Sequence, residues 1–106
     1  MQQNPPTITT ADLHRLVARA EPLWLIYVPQ DPGSQHGHIP GSLATTDEDL
    51  LAALAAETPV VVYGDSTDAT RAQRIAARFA AQGRDTRWYA GGVRAWIEAG
   101  HPIELA

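Results

Sequence analysis

Two short runs, Leu23 to Val28 and Val60 to Tyr63, are apolar at successive rather than alternate positions. A strand with one solvated face alternates polar and apolar side chains. A run without alternation therefore belongs to a strand covered on both faces, which is the signature of a parallel sheet under helices. Parallel neighbours need crossover connections, and helical patterns lie on both sides of these runs. The fold class expected from this is α/β, a parallel sheet flanked by helices on both faces.

The helices are marked by caps and stripes. Thr9 followed by Asp12 resembles a capping box, and Leu13, Leu16, Val17 and Ala20 form one stripe that Pro22 ends, which predicts a helix over about 10–20. Thr46 with Asp49 opens a second helix through Ala56, with acids at the positive end of its dipole and Leu50, Leu51 and Leu54 toward the core. Ile75, Ala76 and Phe79 set the inner face of a helix over about 69–82, and Gly83 is placed to take the left-handed residue after it. A strand over 87–90 and a last helix over 93–99 complete the alternation, closed by Gly100 and Pro102.

At 106 residues, 44% of them hydrophobic, the chain suits one globular domain. The expected division is a flexible segment 1–6 and a single domain over 7–106. No apolar run approaches the ~20 residues of a membrane-spanning helix, and residues 1–6 lack the charged and apolar regions of a signal peptide, so the expected location is cytoplasmic, without membrane attachment. A net charge of −4 argues against a nucleic-acid module. The charge is uneven, however. Residues 1–65 carry eight acids and two Arg, whereas residues 66–106 carry four acids and six Arg, so any anion would be met by the second half. The chain contains no cysteine. Disulfides, thiol catalysis and cysteine-containing metal sites are excluded with it.

In open parallel sheets ligands sit beyond the carboxyl ends of the strands, which directs attention to the residues after Tyr63. The segment Gly64, Asp65, Ser66, Thr67, Asp68, Ala69, Thr70, Arg71 runs from a strand through small polar residues into a helix. Backbone N–H groups and the positive helix end converge there, which makes it a candidate anion-binding loop, with Ser66 or Thr70 adding a hydroxyl and Arg71 a guanidinium. The same residues also serve as helix caps, and the two acids oppose an anion.

Taken in order, the Leu-Ile-x-Val strand, Gly37-His38-Ile39-Pro40-Gly41-Ser42, Val60 to Tyr63 with its loop and helix, Gly91-Gly92-x-x-Ala95-Trp96 and Gly100-His101-Pro102 resemble a single-domain rhodanese (sulfurtransferase homology) domain. The likeness runs from about Ile8 to Glu104. It implies a five-stranded parallel sheet and an active-site loop directly after Tyr63. In active members that loop begins with a cysteine, whose thiolate takes a sulfane sulfur as a persulfide and passes it to cyanide, a thiol or a carrier. Here the station falls on Gly64 or, by helix register, on Ser66. Glycine has no nucleophile, and a serine hydroxyl neither ionises readily nor forms a persulfide. No catalytic residue is assigned on this basis. Active relatives also carry an Asp-Val-Arg triplet and an acidic-aromatic pair where this chain has Tyr27-Val28-Pro29 and Gly33-Ser34. Tyr27 replaces a charged family position and is expected to fill the old pocket.

The remaining candidates are weaker in chemistry. His36 and His38, with Asp31, reach no identifiable third ligand, and no metal or cofactor is expected. Arg71, Arg74 and Arg78 share one helix face, either solvated or a stripe for an acidic partner. Trp24, Trp88, Trp96, Tyr63 and Tyr89 suit the core. The expected function is a catalytically inactive binding or regulatory module for a protein partner or a small anion. The alternative is a thiol-independent hydrolase of an oxyanion ester, using Ser66 or Asp65 with Arg71.

Overall fold

The computed structural model describes residues 6–20, 22–29, 37–44, 57–65 and 70–104. Its elements are helix α1 (Thr10–Ala18), strands β1 (Trp24–Tyr27), β2 (Leu43–Ala44) and β3 (Val60–Tyr63), helix α2 (Thr70–Ala81), strand β4 (Thr86–Tyr89) and helix α3 (Gly92–Glu98). The helix expected over Thr46–Ala56 lies outside the described residues.

Among the described residues the sheet has four strands, ordered β2-β1-β3-β4, every pair parallel. A single parallel bridge between Thr7 and Trp88 extends it beyond β4. Trp88 N donates to Pro6 O at 2.9 Å and Ile8 N to Trp88 O at 3.1 Å. The ladder stops there because Thr9 is already the cap of α1, its Oγ1 accepting from Asp12 N at 3.1 Å.

The unbroken apolar runs do what two-sided burial requires. Ile26, Val60, Val62 and Trp88 pack on one face against Ala72, Ile75, Ala76 and Phe79 of α2. Leu25, Tyr27, Val61, Tyr63 and Tyr89 pack on the other against Leu13 of α1 and Val93 and Trp96 of α3. Alternate residues of one strand thus serve opposite layers. Each fully buried large side chain contributes about 1.5–3 kcal/mol, so the two clusters carry the fold.

Several expected boundaries shift. Ala20 does not extend the stripe of α1: its φ of 53° turns the chain out of the helix two residues before Pro22, leaving it exposed. The last strand begins at Thr86 rather than Arg87, because buried Thr86 pairs with Val60, and Ala90 falls in the following turn. Gly83 takes the left-handed conformation expected after α2, at φ 82°. Among the described residues no helix is long and apolar enough to cross a membrane.

Candidate functional site

The carboxyl ends of β1, β3 and β4 each finish on a tyrosine, and the register places them side by side: Tyr27 opposite Tyr63, and Tyr63 opposite Tyr89. All three rings are buried on the α1/α3 face. Tyr27 stacks on Tyr63 with centroids 5.2 Å apart and planes inclined by 20°, and Tyr89 meets Tyr63 edge-on at 6.2 Å.

A buried phenol needs a partner for its hydroxyl, and each of these finds one on a different loop. Tyr27 donates to Asp65 Oδ1, at the start of the loop that leaves β3. Tyr63 OH accepts from Ile39 N at 2.9 Å and shares a hydrogen bond with Ser42 Oγ at 2.6 Å. Tyr89 OH lies 2.6 Å from Thr10 Oγ1, in the first turn of α1. The row thus ties α1, the 37–42 turn and the loop after β3 to the edge of the sheet. All three phenols titrate above the ordinary tyrosine range. Burial is the main cause in each case, and for Tyr27 the hydrogen bond to Asp65 and its charge act in the same direction.

The start of the candidate loop is held from a third side. Val93 N donates to Gly64 O and Arg94 N to Asp65 O, both at 3.0 Å, so the first turn of α3 spends its otherwise unpaired N–H groups on this loop. The Gly91-Gly92 pair makes that approach possible, though not by two positive φ angles. Gly92 alone takes one, at 66°, while a Cβ on Gly91 would sit 2.5 Å from that of Ala95. One glycine is needed for conformation and the other for room.

Of the eight residues expected to cradle an anion, Gly64 is buried, Asp65 half-buried, and Thr70 and Arg71 are exposed at the start of α2; Ser66, Thr67, Asp68 and Ala69 lie outside the described residues. His36 and Asp31 lie outside them too. His38 sits in the turn, its backbone paired with Glu104 through hydrogen bonds of 2.9 and 2.8 Å and its Nδ1 3.1 Å from Ile39 O. Among the described residues no three His, Cys, Asp or Glu side chains are grouped as a metal would need. The structure brings together Tyr27, Asp65 and the starts of the loop and of α3. Arg71, Arg74 and Arg78 stand apart on the outer face of α2.

The roles of Ser42, Thr10 and Ile39 were missed by sequence reasoning, as was the partnership of Tyr27 with Asp65. The signal emerges only with the observed strand ends: three strands of equal length each end in Tyr, and parallel pairing aligns equal positions. Chemically the described part of the site is a closed set of hydrogen bonds around a tyrosine row. It has a carboxylate and hydroxyls, and no thiol, since the chain has none.

The family model for the rhodanese-like domain matches residues 9–99. No curated protein matches the chain. Among solved structures, a protein from Bacillus halodurans is 22% identical with a TM-score of 0.81, over 94% of this chain and 77% of that one. A rhodanese-like domain protein from Staphylococcus aureus is 22% identical with a TM-score of 0.75, over 95% and 98%. A protein from Rhodopseudomonas palustris described as a possible tyrosine phosphatase is 27% identical with a TM-score of 0.73, over 94% and 85%. With the match spanning nearly the whole sequence and the parallel sheet under two helical layers, this chain belongs to the rhodanese-like domain family, and it does so without a cysteine.

Proposed function

We propose that this rhodanese-like domain is a catalytically inactive binding or regulatory module. The observation that carries the proposal is the absence of any cysteine from the chain. Persulfide chemistry needs a thiolate, and neither Gly64 nor Ser66, the two positions at the family nucleophile's station, supplies one. The hydrogen bond from Tyr27 to Asp65 supports the same reading, because the phenol occupies the place beside the loop where active relatives carry a charged residue. We assign the family's fifth strand to the segment around Thr7, on the strength of its bridge to Trp88.

The loop from Gly64 to Arg71 keeps a role as an anion site in this proposal, with Arg71 as the cation and Thr70 as a hydroxyl donor. Purified protein should transfer no more sulfur from thiosulfate or mercaptopyruvate to cyanide than a boiled control. Transfer above that control refutes the module reading.

A second reading draws support from the likeness to the Rhodopseudomonas palustris protein. The loop would hold an oxyanion ester, with Ser66 or Asp65 as nucleophile and Arg71 stabilising the developing charge. Against it, Asp65 Oδ1 already accepts from Tyr27. Hydrolysis of p-nitrophenyl phosphate that is abolished by Ser66→Ala or Asp65→Asn would establish this reading; a signal unchanged by both removes it.

A further inference from the structure

We infer that the outer face of α2 is a docking surface for an acidic segment of another protein, with Arg71, Arg74 and Arg78 as its contact residues. The inference rests on the reading of the chain as a binding module and names the chemistry of the partner. The three arginines are exposed, and their spacing puts them on one face of the helix, alongside the Ala72, Ile75, Ala76 and Phe79 face that packs on the sheet. Thr70–Ala81 contains no acidic residue. Because the whole chain carries −4, this basic face is not the by-product of a basic composition.

A second observation concerns the first turn of α2. The amino end of a helix carries positive partial charge, so acids stabilise its first turn and cations oppose it. Helix α1 follows the rule with Asp12, whereas neither α2 nor α3 has an acid in its first turn; α2 places Arg71 there, with Arg74 one turn on. Neither Arg71 nor Arg74 forms an ion pair among the described residues.

The dimensions select a protein carboxylate partner. Eight residues of helix, from Arg71 to Arg78, carry the row over about 10 Å, the length of two turns. An acidic helix showing Glu at matching spacing offers one carboxylate per guanidinium fork.

The test uses the full chain and a fluorescein-labelled helical peptide with Glu at i, i+3 and i+7, read by fluorescence anisotropy at low and high salt. A Gln-for-Glu peptide and a short DNA duplex serve as rival ligands. Arg71→Glu/Arg74→Glu should weaken the Glu peptide at least about tenfold. Arg19→Glu/Arg87→Glu, an equal charge change on other exposed arginines, should leave it within about twofold, with circular dichroism confirming that both variants fold. Equal loss in both variants, tighter binding of DNA, or no preference for Glu over Gln overturns the docking surface. The two readings fail separately: sulfur transfer by the same preparation refutes the module and says nothing of the arginine face, whereas a peptide indifferent to Arg71 and Arg74 refutes the face alone.

Discussion

Replacing Tyr27 by Phe isolates the contact on which the site turns. The ring is buried and remains in place, so the substitution removes one hydroxyl and its donation to Asp65. A hydrogen bond to a charged acceptor contributes about 1.5–3 kcal/mol, and with Asp65 half-exposed the expected loss at neutral pH is about 1.5 kcal/mol. The pH dependence is the sharper readout. Burial, then Asp65, raises the titration of Tyr27 above that of the unfolded chain. The stabilisation is therefore complete below the unfolded value near pH 10, and it is lost as pH rises through the higher folded value. In that window the unfolded state has released the proton and the folded state has not, which costs about 1.4 kcal/mol per pH unit for each such tyrosine. Tyr63 and Tyr89 are raised as well, so the parent protein should lose up to about 4 kcal/mol per pH unit. The chain contains no lysine and no cysteine, and arginine titrates above this range, so the three tyrosines alone set the slope. Urea unfolding followed by tryptophan fluorescence between pH 9 and 11.5 should show a Tyr27→Phe slope shallower by about one proton. An unchanged slope together with a neutral-pH loss below about 0.3 kcal/mol would refute the buried Tyr27–Asp65 contact.

Other substitutions probe the frame around that contact. Gly91→Ala puts a Cβ 2.5 Å from that of Ala95 and should cost about 1–3 kcal/mol in urea unfolding, whereas Gly83→Ala meets no atom within 4 Å and should cost only the strain of its positive φ, about 1 kcal/mol. Thr9→Ala removes the cap of α1 and should lower stability by about 1 kcal/mol, with Thr9→Gly costing only a few tenths. Arg71→Glu should raise stability by about 0.3–1 kcal/mol, an increase that shrinks with added salt, because it puts an acid at the positive end of α2. Gly64→Cys supplies a thiol beside the Asp65 carboxylate, which disfavours the thiolate; iodoacetamide should label it more slowly at pH 7 than a free cysteine, and cyanide-dependent sulfur transfer should stay at background.

What could be foreseen from the sequence divides along the range of the interactions involved. The buried strands were legible because two-sided burial leaves a mark on every residue of Val60 to Tyr63. Thr9 and Gly83 were legible because a cap and a left-handed helix end are local chemistry, read within one turn. Ala20 fitted the stripe of α1 by spacing, yet the left-handed turn ahead of Pro22 removed it. Gly91 and Gly92 look alike in the sequence, and only the close approach of Gly91 to Ala95 and Tyr89 separates a need for space from a need for positive φ. The site was least legible because its contacts are long-range. Tyr27 lies 38 residues from Asp65 and Thr10 lies 79 from Tyr89, and no periodicity encodes such pairings. By sequence pattern the first strand runs to Val28 and the last to Ala90, so the shared terminal tyrosine of three strands emerges only with the observed strand ends and the parallel register.

That row changes what the missing cysteine means. Loss of a nucleophile by itself would leave a pocket shaped for a thiolate, with donors still aimed at a negative atom. Here the position where active relatives carry a charge holds a phenol, and that phenol is committed to a carboxylate at the start of the loop. Gly64 O and Asp65 O in turn accept the first N–H groups of α3, so the described part of the loop turns carboxylate and carbonyl oxygens toward its neighbours. The departure from the family therefore spans positions on β1 and at the start of the loop after β3. In the proposed module, the exposed charge of the second half of the chain, on α2, is a further place where an anionic partner would be met.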